Sequence, residues 1–180
     1  MIAAIIAGGS AKRLGGAPKW LMPTRDGRTI VARLADECRV AGLSPVVVSN
    51  RALFGPGLER IPDASEGKGP LGAVVAALAF AAPGPVVVVG GDLPRVSSAL
   101  LARLASASDG AVAPMRGGHF EPMFSRLPGG ALDPARARLE RGDLSLQGLF
   151  RELGATALEL SADEWEELAD VDDVADLALL

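Results

Sequence analysis

With one cysteine, Cys38, the chain has no means of forming an internal disulfide or a zinc site built from several thiolates. No apolar run approaches the roughly 20 residues that span a bilayer, although 49% of the residues are apolar. Positive charge is not in excess: 18 Lys and Arg against 22 Asp and Glu leave a net charge of −4, and the basic residues are scattered. Nucleic-acid binding, which usually needs a basic surface, is therefore not expected, and neither is a membrane. The one histidine, His119, has no Ser or Cys nucleophile pattern beside it, so no catalytic triad is expected. Tyrosine is absent and alanine abundant, which reads as compositional bias. The chain opens directly on strand residues, without a basic leader or a cleavage site. No signal peptide is expected, and the compartment implied is the cytoplasm.

What is present is a regular alternation. At 180 residues the natural reading is one domain over residues 1–180. Apolar runs at 2–7, 45–49 and 85–89 read as buried strands, with a shorter one at 111–114. Helical patterns at 29–41, 71–82 and 97–107 lie between them, the last opened by Ser97 as an N-cap. Residues 120–126 are less regular and read as an added strand. Residues 133–141 and 145–153 look helical, 155–160 alternate like a strand, and 163–168 and 174–180 close the chain as short helices. Valine and isoleucine runs without polar alternation suit strands covered on both faces. The expected fold is α/β: a Rossmann-like three-layer sandwich around a mostly parallel sheet.

The chemistry gathers where strands end. The first strand empties into a loop with Gly8, Gly9, Gly15 and Gly16 and the cations Lys12, Arg13 and Lys19. Glycines let backbone N–H groups come close to a ligand, and the cations add positive charge, a combination that suits a polyphosphate. The loop is neither a Walker A motif nor a dinucleotide fingerprint, and Lys12 reads as a solvated side chain. The connection runs some 20 residues, against the usual 2–6 or so, as functional loops do. A second cluster, Gly90-Gly91-Asp92-Leu93-Pro94, follows the four-valine strand. Asp92 either holds a divalent metal against a phosphate or caps the following turn. Gly69 and Gly72, at a helix start, would let the backbone lie flat against a base or ribose. Asn50 and Asp63 either hydrogen-bond base or ribose or serve as turn formers. The carboxylates Asp170, Asp172 and Asp173 read as helix caps or as a second metal ligand. The Gly117–Pro122 segment is a candidate substrate contact, with His119 not expected to be catalytic. Cys38 and Trp165 read as packing residues, and Trp20, beside Lys19, as a candidate wall of the site.

Taken in order, these motifs resemble the molybdenum cofactor guanylyltransferases, within the nucleoside-triphosphate transferases that include the sugar-phosphate and isoprenoid cytidylyl and uridylyl enzymes. The resemblance rests on Ile6-Ala7-Gly8-Gly9, Arg13, Gly15-Gly16 and Lys19, then Gly69-Pro70-Leu71-Gly72 and Gly91-Asp92-Leu93-Pro94. It continues through Glu121-Pro122-Met123, Gly142-Asp143-Leu144-Ser145-Leu146 and Asp170 to Leu177. It implies a sheet of the nucleotide-diphospho-sugar transferase type, GTP and molybdopterin as substrates, and Mg²⁺ as cofactor. On this resemblance Ile6, Ala7, Gly8 and Gly9 contact the nucleotide, the first three through their backbone. Lys19 binds phosphate, with Arg13 beside it; Asn50, Asp63 and Gly69 meet base or ribose; Asp92 binds Mg²⁺, with Asp172 completing the metal site. The protein partners it leaves open are other molybdenum cofactor biosynthesis proteins or molybdoenzymes.

The sequence also departs from the family pattern. Pro18 stands where the family often has Asp, Asp170 and Asp172 replace Asn, and Val174 replaces Pro. A carboxylate still binds Mg²⁺, so the chemistry is expected to survive. The alternatives are a related transferase using CTP or another phosphorylated acceptor, and a non-catalytic GTP-binding protein on the same fold.

Overall fold

The computed structural model describes residues 1–8, 18–51, 57–65 and 69–171. The expected glycine loop at 9–17, the closing helix at 174–180 and the candidates Gly9, Arg13 and Asp172 lie outside the described residues.

The chain begins with β1 (Ile2–Ile6), α1 (Ile30–Val40), β2 (Ser44–Val48), β3 (Glu59–Ile61), α2 (Pro70–Ala81) and β4 (Val86–Gly90). After β4 come α3 (Ser98–Ser106), β5 (Val112–Arg116), β6 (His119–Phe120), β7 (Phe124–Leu127), α4 (Leu132–Glu140), α5 (Leu146–Glu152), β8 (Thr156–Leu158) and α6 (Ala162–Glu167). Among the described residues the strands form one sheet ordered β3-β2-β1-β4-β7-β5-β6, with β8 also on β5. The strands β1 to β4 run parallel, and β7 runs antiparallel between β4 and β5.

The strand pattern explains the layers. Successive strand residues point to opposite faces, so a run of four valines in β4 feeds both. Val87 and Val89 join Ala3, Ile5 and Val47 in one core, closed by Leu34 and Cys38 of α1 and Leu100, Leu101 and Leu104 of α3. Val86 and Val88 join Ala4, Ile6, Val46 and Val48 in the other, closed by Leu71, Val74 and Leu78 of α2, Ala135 of α4 and Phe150 of α5. The result is helix, sheet, helix. Cys38 sits fully inside the first core, where burial pushes its thiol up to about 12, as a packing residue should behave.

The region expected as one strand at 120–126 divides. Pro122 breaks the ladder: β6 folds back on β5, and β7 inserts beside β4. The inserted strand hides Arg126 in the sheet, where its guanidinium donates to the Gly110 carbonyl at 2.8 Å. The short strand β3 has no counterpart among the expected strands. Its Glu59 and Arg60 are exposed, and its apolar content is Ile61 alone, too little for a pattern of period two to stand out.

The topology itself locates a site. From β1 the chain moves outward through β2 and β3, then crosses back to β4 on the other side of β1. Ligands of open α/β sheets bind beyond the carboxyl ends of strands where the order reverses in this way.

Candidate active site

At that switch point the ends of β1 and β4 are fastened together. The Gly91 N–H donates to the Ile6 carbonyl at 3.0 Å. A Cβ on Gly91 would lie 2.9 Å from that carbonyl oxygen and 3.3 Å from the Trp20 Cβ, so only glycine allows the approach. Asp92 follows, directed by this turn to the cleft above the sheet.

Lys19 arrives from the other side. It lies on a short 3₁₀ turn, Lys19–Leu21, whose middle residue Trp20 is 2% exposed and packs into the core under β1 and β4. Trp20 is therefore the anchor of the turn and not a wall of the site, which corrects the expectation for it. With the turn pinned, the Lys19 Nζ stands 3.8 Å from Asp92 Oδ2, both side chains partly open at 21% and 35% exposure. Two groups far apart in sequence, each singled out for phosphate or metal chemistry, are thus neighbours.

Two clefts meet at Asp92. The first, about 590 Å³, is lined by Ile6, Ala7 and Gly8 from β1, by Asn50 and Arg51 beyond β2, and by Asp63, Gly69 and Asp92. Its far wall is the start of α2, which has no side-chain cap: Gly69 takes φ 65° and Pro70 opens the helix. An uncapped helix start leaves backbone donors for a bound group. Asn50 and Asp63 support each other there. The Asn50 side-chain oxygen accepts from the Asp63 N–H at 3.0 Å, and Asp63 Oδ1 accepts from the Ser65 N–H at 2.9 Å. Asp63 thus forms an Asx-type turn, Asn50 holds its N–H from across the loop, and both line the cleft.

Gly72 differs from its expectation. A Cβ there would fall 2.5 Å from Asp63 Oδ1 and 3.0 Å from the Ser65 carbonyl. Its missing side chain makes room for the Asp63 turn, not for a base.

The second cleft, about 460 Å³, lies on the other side of Asp92 and Met123. Arg116 from the end of β5, Glu121 from the turn before β7, and Trp165, Leu168 and Asp170 from the C-terminal region line it. The Arg116 guanidinium lies 4.7 Å from the centre of the Trp165 ring. Partial burial raises the Glu121 pKa, the Asp170 charge raises it further, and Arg116 opposes the shift. His119 lines neither cleft; it is exposed, with Nδ1 3.1 Å from the Gly117 carbonyl. Sequence reasoning took Trp165 for packing and passed over Arg116. Asp92, Asp170 and the segment around Glu121 carried the signal for this cleft.

The C-terminal region closes on the same centre. Val171, fully buried, donates its N–H to the Asp92 carbonyl at 3.1 Å. This hydrogen bond brings Asp170 and Val171 to the loop that carries Asp92.

The donor set suits a small hard cation. Among the described residues no group of three metal-ligating side chains is present. One carboxylate facing a phosphate cleft is the usual protein share of a Mg²⁺ site, where water and substrate oxygens supply the rest. Asp92, partly open and lining both clefts, fits that share.

Residues 3–157 match the model of the MobA-like NTP transferase domain. A molybdenum cofactor guanylyltransferase of Pseudomonas putida is 35% identical over 156 residues, covering 82% of this chain and 81% of its own length. A probable molybdenum cofactor guanylyltransferase of Opitutus terrae is 37% identical over 153 residues, covering 80% of this chain and 74% of its own. The crystal structure of the molybdopterin-guanine dinucleotide biosynthesis protein A from Archaeoglobus fulgidus superposes with a TM-score of 0.81. At 19% identity it covers 99% of this chain and 96% of that one, and bears on the fold alone. The switch-point cleft, the Lys19–Asp92 pair and these relatives agree: the chain belongs to the MobA-like NTP transferase family.

Proposed function

We propose that this chain transfers GMP from GTP to molybdopterin in the cytoplasm, with Mg²⁺, giving molybdopterin guanine dinucleotide and pyrophosphate. The observation that carries this reading is the Lys19–Asp92 pair at 3.8 Å, set between a glycine-rimmed cleft and a second one. The first cleft takes GTP and the second the acceptor, so that the reacting atoms meet over Asp92.

The reaction forms one P–O bond and breaks one. An oxygen of the acceptor's terminal phosphate attacks the α-phosphorus of GTP, and the bond to the bridging oxygen breaks with its electrons on pyrophosphate. The attacking phosphate is already an anion, so no strong base is required, consistent with His119 lying away from both clefts. Catalysis is then positioning and charge neutralisation. The backbone of Ile6, Ala7 and Gly8, with Asn50, Asp63 and Gly69, holds the nucleoside end. Lys19 balances the charge that grows on the departing pyrophosphate, with Arg13 as its second cation. Asp92, with Asp172, would hold Mg²⁺, which would offset charge on the substrate phosphates.

Calorimetry with GTP, ATP, CTP and UTP, with and without Mg²⁺, tests the nucleotide; pyrophosphate release with molybdopterin tests the transfer. Selective GTP binding and release of pyrophosphate are expected. Selective CTP binding would move the protein to a cytidylyltransferase, and GTP binding without release under any acceptor would make it a binding protein.

A further inference from the structure

The two clefts that meet at Asp92 differ in how many carboxylates they gather. Among the described residues, four carboxylates (Asp92, Glu121, Glu166 and Asp170) line the second cleft beside one cation, Arg116. Away from Lys19 and Arg116, a surface of that balance disfavours phosphate. It favours instead a ligand part that carries N–H donors. One wall is flat and polarisable, the Trp165 ring with the Arg116 guanidinium 4.7 Å from its centre. The remainder includes Leu93, Phe124 and Leu168. A planar heterocycle with an N–H-rich edge, its phosphate tail toward Asp92, answers all of these features.

The walls are rigid. Glu121 is tied on both sides: its N–H donates to the Pro114 carbonyl at 2.8 Å, and its carbonyl accepts from the Phe124 N–H at 3.0 Å. Helix α6, which carries Trp165, starts with a capping box between Ser161 and Glu164. Glu164 also pairs with Arg103 of α3, and Glu167 Oε2 accepts from the Ser97 N–H at 2.9 Å. A site fixed in this way can discriminate by hydrogen-bond pattern.

Resting on the molybdopterin reading above, we infer that Glu121 is the specificity residue for the acceptor ring: it accepts from the ring N–H and the neighbouring 2-amino group, while the Arg116–Trp165 stack holds the ring's face. A carboxylate takes two parallel N–H donors as it takes the fork of an arginine. A pteridine-2,4-dione has a carbonyl in place of the amino group and would set oxygen against oxygen.

The probes are 6-hydroxymethylpterin and the matching 6-hydroxymethyllumazine, titrated against the full chain with GTP and Mg²⁺ binding measured alongside. Pterin is expected to bind at least tenfold tighter than lumazine. Glu121→Gln should erase that ratio while GTP affinity is retained, and Trp165→Ala should weaken both pteridines. Equal binding of the two by the unaltered protein overturns the assignment without any variant, and so does an unchanged ratio in a Glu121→Gln protein that still binds GTP. If GMP transfer to molybdopterin proceeds and Glu121→Gln leaves the acceptor KM unmoved, the inference fails and the function stands. If neither transfer nor pteridine binding occurs while GTP binds, the acceptor reading fails and takes this inference with it.

Discussion

The two clefts are built by different means. The first is made largely of backbone: strand ends, glycines and an uncapped helix start from residues 6–90, joined by Asp92 and Met123. The second is made of side chains brought together from β5, the turn before β7 and the region around α6. Backbone recognition leaves a compositional trace, because glycine must stand where a carbonyl, a ligand or a left-handed φ requires it. Side-chain recognition across distant segments leaves almost none, since Arg, Glu and Trp are ordinary surface residues until a fold groups them.

Asp92 is the residue the clefts share, and changing it should have the largest effect. Asp92→Asn keeps the shape and removes the charge, so turnover is expected to fall by about 10³, with the Mg²⁺ dependence of pyrophosphate release abolished. Lys19→Ala follows, with kcat down about 10² and an unchanged melting temperature. Because the two side chains adjoin, the double variant should be little worse than Asp92→Asn alone. Additive losses would mean that they act separately.

The next pair separates the clefts. Gly72→Ala places a methyl carbon against the Asp63 carboxylate and the Ser65 carbonyl. Overpacking there should cost about 1–3 kcal/mol of stability and weaken GTP while sparing pteridine binding. Trp165→Ala should do the reverse, raising the acceptor KM about tenfold, the scale of one ring stack, with GTP affinity kept. Loss of both ligands in either variant would show that the clefts are not independent.

The smallest effect concerns the support of the second cleft. Hydrogen bonding from Arg103 is the main cause that lowers the pKa of Glu164 in the folded protein. A carboxyl with a folded pKa below its unfolded value of about 4.3 stabilises fully above that value, and the benefit fades as pH falls through the folded pKa. Arg103→Ala should therefore lower the melting temperature slightly at pH 7, and the gap to the unaltered protein should narrow under acid. Both groups are near the surface, so the gap itself is expected to be modest.

Legibility in the sequence follows the same division. The valine runs of β2 and β4 and the N-cap Ser97, which accepts from the Leu100 N–H, announced their elements directly. Strand β7 was blurred because it buries Ser125 and Arg126, polar residues that period-two reasoning assigns to solvent. In the site, Lys19, Asn50, Asp63, Gly69 and Asp92 stood out because each follows a strand or opens a helix. Trp20 and Trp165 were read the wrong way round. Next to a lysine, Trp20 suggested a wall, but it packs beneath two strands; on a capped surface helix, Trp165 suggested packing, but it lines the second cleft. Nothing local in either neighbourhood records which way the ring turns.

The hydrogen bond from Val171 to the Asp92 carbonyl has a bearing on synthesis. A chain emerging from the ribosome has β1, β2, β3 and β4 in hand early, and Met123, which lines the first cleft and accepts from the Gly90 N–H, follows them. The clasp on the Asp92 loop waits until the segment after α6 has been made. Affinity for the nucleotide should thus precede competence by the stretch between Met123 and Val171, and a product cut within it would occupy substrate without turning it over.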